Sequence, residues 1–222
     1  MGTNFRSNTE ITSFDEFKYF TGLYLVEFSF QSSNLRVISM PPATLYYNKN
    51  NWDYSPFAYC KKLVRVNWGE CDLGATITLF RGCSSLDYYD GILPNNLTEV
   101  QVACFMGCVS LTRMIFYEGI QTFGSDLFRD CSSIRYVEFP SSTKKLSLTY
   151  LFDGTHRNGI YVVMKAVNPP TLGGTYNQWW TERVYWYVPE ESVAAYKAAE
   201  SWSNVSGNIY PMSELPDEFR NL

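Results

Sequence analysis

One frame recurs along this chain and constrains its fold more than any other feature. It reads Phe-x-x-Cys-x-x-Leu, with Ile once in the last place. The clear copies are Phe57–Cys60–Leu63, Phe80–Cys83–Leu86, Phe105–Cys108–Leu111 and Phe128–Cys131–Ile134. A degraded copy opens at Phe152, and an early one, Phe17 to Leu23, puts Phe20 in the cysteine place. The anchors Phe57, Phe80, Phe105, Phe128 and Phe152 are 23, 25, 23 and 24 residues apart. A unit of that size cannot bury its apolar face alone, so successive units must stack.

Each anchor leads into a short alternating stretch. These are Leu23–Phe28, Leu63–Trp68, Leu86–Gly91, Leu111–Phe116 and Ile134–Phe139, with Leu35–Met40 as an extra one. In most copies apolar residues take places one, four and six, as in Leu63, Val66 and Trp68, while the second copy departs with Tyr89 and Gly91 at places four and six. Places four and six flank an outward place five, which is the signature of a half-buried strand. Strands stacked in parallel about 4.8 Å apart predict an array roughly 30 Å long. The expected fold is a mainly β repeat solenoid with a loop-rich opposite side and one C-terminal capping helix. The helix is expected near 190–201, after Pro189, to cover the exposed core of the last unit. The expected divisions are a tail over 1–13, the array over 14–168, a cap over 169–212 and a second tail over 213–222.

The repeated frame, the short strand and the loop of about a dozen residues resemble the BspA-like leucine-rich repeats of bacterial surface proteins. The stretch Val184 to Lys197 also resembles the segment that closes such arrays. The resemblance covers about residues 11–212. It implies a leucine-rich-repeat solenoid that is non-enzymatic, often exported, and tied to adhesion or partner binding. Met1 to Glu10 is polar and has no export signal's apolar stretch. The expected location is therefore extracellular or at the cell surface with a leader removed. The alternative is a structural or spacer part of a surface layer or phage virion.

Composition removes several function classes. Lys and Arg number 18 against 22 Asp and Glu, and the net charge of −4 argues against a nucleic-acid partner. No apolar run approaches the roughly 20 residues of a membrane span, so no membrane insertion is expected. There is no phosphate-binding glycine motif. The ladder Cys60, Cys83, Cys108 and Cys131 reads as small buried filler, one per unit, with no metal and no cofactor. The lone His156 sits between glycine and asparagine in a turn pattern. Two carboxylate pairs, Asp126/Asp130 and Asp87/Asp90, leave a glycan-active enzyme as a third reading, but nothing forces either pair into a cleft.

The outward strand places carry the candidate binding site. Place three, unit by unit, holds Leu25, Val37, Arg65, Tyr88, Arg113 and Tyr136. Place five holds Glu27, Ser39, Asn67, Asp90, Ile115 and Glu138. Stacked in register, Arg65, Tyr88, Arg113 and Tyr136 would form a row of alternating cation and aromatic beside a polar, acidic row. Tyr and Arg are the residues most enriched at binding hot spots, and the same row would also steady adjacent strands. The enlarged loop 41–56, with Tyr46, Tyr47, Asn51 and Trp52, is a weaker second element. The expected ligand is a protein or a glycan. A further aromatic set, Tyr176 to Trp180 with Tyr185, Trp186 and Tyr187, reads either as cover for the cap or as a sugar platform.

Overall fold

A computed structural model describes residues 5–20, 29–45, 55–74, 76–87, 92–155, 159–175 and 182–220. Within them the chain is a leucine-rich-repeat solenoid built from two rows of short parallel strands. The first row follows the anchors. It comprises β1 (Ser13–Phe14), β2 (Val37–Ser39) and β4 (Arg65–Asn67) in one sheet. It continues with β7 (Arg113–Ile115), β9 (Tyr136–Phe139), β11 (Ile160–Met164), β13 (Val184–Val188) and β14 (Ile209–Pro211) in another. The second row comprises β3 (Thr44–Leu45) beside β5 (Asp72–Leu73), then β6 (Glu99–Val100), β8 (Thr122–Phe123), β10 (Lys145–Ser147) and β12 (Thr171–Gly173). Every pairing is parallel between successive strands of a row, as one turn of chain per strand requires.

The frame explains itself in the core. The rings of Phe5, Phe30, Phe57, Phe80, Phe105, Phe128 and Phe152 form one stack, with centroids 5.6–6.0 Å apart and planes 7–18° from parallel. Each such contact adds about 0.5–1.5 kcal/mol to the burial of the ring itself. The cysteines run beside them. Cys60 donates its thiol to the Phe30 carbonyl at 2.8 Å, Cys83 to Phe57 at 3.1 Å, Cys108 to Phe80 at 3.1 Å and Cys131 to Phe105 at 3.0 Å. Each thiol thus ties its unit to the preceding anchor, and a small side chain is needed to reach a backbone carbonyl at that depth. Burial pushes these thiols up, to about 11 for Cys60 and about 12 for Cys131, so they stay protonated donors. All six cysteines are buried free thiols.

The residue before each cysteine place adopts a left-handed conformation. It is Ser7, Ser32, Tyr59, Gly82, Gly107, Asp130 or Gly154, with φ between 55 and 75°. Such a conformation costs an L-residue about 1–2 kcal/mol. It persists because it aims each backbone N–H along the stack. Ser7 donates to Gln31, Ser32 to Ala58, Tyr59 to Arg81, Gly82 to Met106, Gly107 to Arg129 and Asp130 to Asp153, at 2.6–2.9 Å. The same turn therefore closes one unit and bonds it to the next.

The early anchors differ from the sequence expectation. Phe17 is not in the stack; it lies in a 3-10 turn, Asp15–Tyr19, with its ring edge-on to Phe30. Phe5 and Phe30 hold the anchor positions instead, with Asn8 and Ser33 in the cysteine place. The Ser33 hydroxyl lies 3.6 Å from the Cys60 thiol. The repeated frame thus reaches into the stretch read as a tail over 1–13.

At the other end α1 (Val193–Ala198) and a 3-10 stretch, Glu200–Asn208, cover the last unit. The regular helix is shorter than the one expected near 190–201, because Ala199 turns extended (φ −69°, ψ 127°). Tyr196, Trp202 and Trp186 pack edge to face at 4.7 and 5.1 Å. The Tyr196 hydroxyl donates to the Ala166 carbonyl and the Trp202 indole to Pro170. Cover for the cap is what Trp186 provides, whereas Tyr176 to Trp180 lie outside the described residues.

Candidate functional site

The outward places of the first strand row form two unlike halves. In the N-terminal half, β1, β2 and β4 align Ser13, Val37 and Arg65 in place three. Place five aligns Ser39 with Asn67. The Asn67 amide donates to the Ser39 hydroxyl at 3.1 Å, and that hydroxyl donates to Asp15 at 2.9 Å. Arg65, Asn67, Ser13 and Asp15 are exposed. This is an open polar ladder with a cation in the neighbouring row.

In the C-terminal half, place three aligns Arg113, Tyr136, Tyr161 and Tyr185. Place five aligns Ile115, Glu138, Val163, Tyr187 and Tyr210. This half is covered. Residues 212–220, read from sequence as mostly tail, turn back across it and carry a short helix, α2 (Asp217–Arg220). Phe219 stacks on Tyr136 at 5.3 Å and 16°, and sits 4.7 Å from Tyr161. Leu215 joins Tyr136, Val163 and Tyr187 in a small apolar cluster separate from the main core.

Tyr136 was expected on an open face, and here the structure differs: only 2% of it is exposed. Its hydroxyl donates to Glu138 at 2.7 Å, and Glu138 also pairs closely with Lys165. Burial, helped by that carboxylate, pushes the Tyr136 phenol far above its ordinary range. Burial and neighbouring tyrosines and Glu214 push Tyr187 up to about 12. These two phenols are neutral at any physiological pH.

The remaining candidates fall as follows. Arg113 and Glu138 are neighbours of Tyr136 in register or sequence, while Arg65 and Asn67 lie in the other half. Tyr88, Asp90, Glu27, Tyr46, Tyr47, Asn51, Trp52 and His156 lie outside the described residues. Asp126 and Asp130 both face the Arg129 guanidinium, at 3.1 and 3.9 Å, so they work as ion-pair partners. Among the described residues no group of three or more His, Cys, Asp or Glu is placed to hold a metal ion. Sequence reasoning missed Tyr161 and Tyr185 as members of the row, although Tyr161 lies in the β-branched run Ile160–Val163 and Tyr185 opens the aromatic run Tyr185-Trp186-Tyr187. It also missed an open groove of about 600 Å³ over β8, β10 and β12, lined by Glu99, Thr122, Lys145 and Ser147 above Gly124, Gly173 and Gly174.

The model of the BspA type leucine-rich repeat region matches residues 27–158 in six copies. The chain belongs to this family. That family points to a protein-binding repeat module rather than a catalytic one. No curated protein matches the chain. No helix among the described residues is long and apolar enough to cross a membrane. The BspA-type frame accounts for the stack and the thiol ladder; the cover over the C-terminal half of the strand face is outside what the repeat itself dictates, since residues 212–220 lie beyond the matched span.

Proposed function

We propose that the chain is a non-catalytic recognition module that binds a protein partner outside the cell through its first strand row, in the manner of an adhesion domain. The observation that carries this reading is the open N-terminal half. There the exposed Arg65 and Asn67 stand on a rigid sheet beside the Asp15–Ser39–Asn67 hydrogen-bonded ladder. An exposed cation beside hydrogen-bonded polar groups suits a partner surface carrying carboxylates. BspA-type repeat proteins are typically surface-associated, which supports the extracellular assignment.

The test is binding of the labelled protein to a panel of bacterial cells, host matrix proteins and glycans. The paired variant Arg65→Ala/Asn67→Ala runs alongside. Saturable binding weakened about tenfold or more in the variant, roughly 1.4 kcal/mol, is the expected result. Equal binding by both proteins rules out this half of the face. No binding by a folded protein to any member of the panel favours a spacer or assembly role.

A further inference from the structure

The covered half of the strand row is a site with its occupant in place. Arg135 stands beside it, with its guanidinium 6.0 Å from the Phe219 ring centroid and 3.7 Å from the Glu218 carboxylate. The tyrosines below supply a flat aromatic floor, and Leu215 fills the apolar end with 7% of its surface exposed. So the floor grips an aromatic residue, one cation reads the carboxylate just before it, and a second contact takes an aliphatic side chain four residues upstream.

We propose that this strip is a peptide-binding site and that residues 212–220 are its resident, displaceable occupant. Its external ligand is a segment of a partner protein with the same chemistry: an aliphatic residue, then three residues of which the last is acidic, then an aromatic residue. The proposal rests on reading the strand row as a recognition surface. The segment holds its own shape through Arg220, which donates to the Leu215 and Ser213 carbonyls and pairs with Asp217 at 2.9 Å. It can therefore leave as a preformed unit. What fastens it is modest: the apolar side chains of Met212, Leu215 and Phe219, the exposed Arg135–Glu218 pair and a bond from the Ser213 amide to Glu190. Exposed pairs of that kind contribute only about 0–1 kcal/mol. A tethered occupant nevertheless acts at an effective concentration on the order of millimolar, so it outcompetes a weak ligand until its grip is loosened.

The probe is a fluorescent peptide spanning residues 211–220, added to the full chain. Wild-type protein is expected to take up little peptide. Phe219→Ala should bind it about tenfold more tightly, because the tethered competitor has lost its anchor. Glu218→Lys, which removes the ion pair without opening a cavity, should act in the same direction and covers the case in which the first variant folds poorly. Adding Arg135→Glu to either variant should reverse the gain, as should replacing the peptide's own phenylalanine by alanine. Equal peptide binding by wild type and both variants overturns the proposal. So does a wild-type dimer held by exchanged C-terminal segments, since the site would then belong to a second copy of this chain. The Arg65 side is untouched by these variants, so binding to the panel above succeeds or fails independently.

Discussion

Equivalent places on the strand row have opposite fates in the two halves. Arg65 on β4 and Tyr136 on β9 both occupy place three, yet the first is exposed and the second is buried. The strand backbone is the same in both. The difference lies in what neighbouring strands and the distant segment bring. Beside Arg65 come Val37 and then Ser13, and a polar ladder runs alongside. Tyr136 has Arg113 on one side and, on the other, Tyr161 and then Tyr185, which build an apolar strip wide enough to bind the chain's own end. A solenoid repeats its core by necessity, but its outward places are free to diverge. The halves teach that a row of equivalent positions is one site only when its side chains agree.

The contrast is sharpest in stability. Tyr136→Ala removes a ring packed between the strands and Phe219 and should cost about 3 kcal/mol, the lower end for a buried aromatic. Arg65→Ala, at the equivalent place, should change stability by no more than about 0.5 kcal/mol. Chemical denaturation of the two variants beside wild type measures both. Similar costs would mean that the halves are not differently built.

The repeat was legible because its chemistry is invariant where the core demands it: Phe stacks on Phe and a small thiol meets each carbonyl. The strands β4, β7 and β9 fall inside the stretches their alternation picked out. The anchors Phe5 and Phe30 were hidden because Asn8 and Ser33 replace cysteine at the edge of the stack, where a polar atom is affordable. The second strand row was hidden because β6, β8 and β10 span only two or three residues, too short to show a period. The candidate row was half legible. The described place-three residues Val37, Arg65, Arg113 and Tyr136 lie on strands of the first row, but the burial of Tyr136 depends on a contact between β9 and a segment about eighty residues onward. Local pattern holds no record of such a contact; its trace is Met212, Leu215 and Phe219 in a stretch rich in charged residues.

A smaller change probes the polar edge of the covered half. Tyr136→Phe keeps the ring on Phe219 and removes only the hydroxyl that Glu138 accepts. Glu138 keeps Lys165 as a partner, so no charge is stranded. The expected cost is about 1 kcal/mol, the net worth of one hydrogen bond. Peptide uptake by the full chain should stay low, because the cover still has its floor. A cost matching that of Tyr136→Ala would show that the hydrogen bond, and not the ring stack, holds this half together.

The smallest effect expected is alkaline loosening of the cover. Folding raises the pKa of Tyr136 and Tyr187 above the unfolded value near 10. For such groups the folded state favours the protonated form. Their stabilisation is complete below about pH 10 and is lost as pH rises through the folded value, about 12 for Tyr187. Phenolate absorbance followed from neutral pH upward should therefore show fewer tyrosines ionising near pH 10 in wild type than in Phe219→Ala. Tyr117 and Tyr196, also raised by burial, lie away from the cover and cancel in the comparison. The open half contributes no described tyrosine at its outward places, so Arg65→Ala should titrate like wild type. If Phe219→Ala and wild type gave the same curve, the burial of these phenols would not depend on residues 212–220, and the two halves would differ by their floor alone.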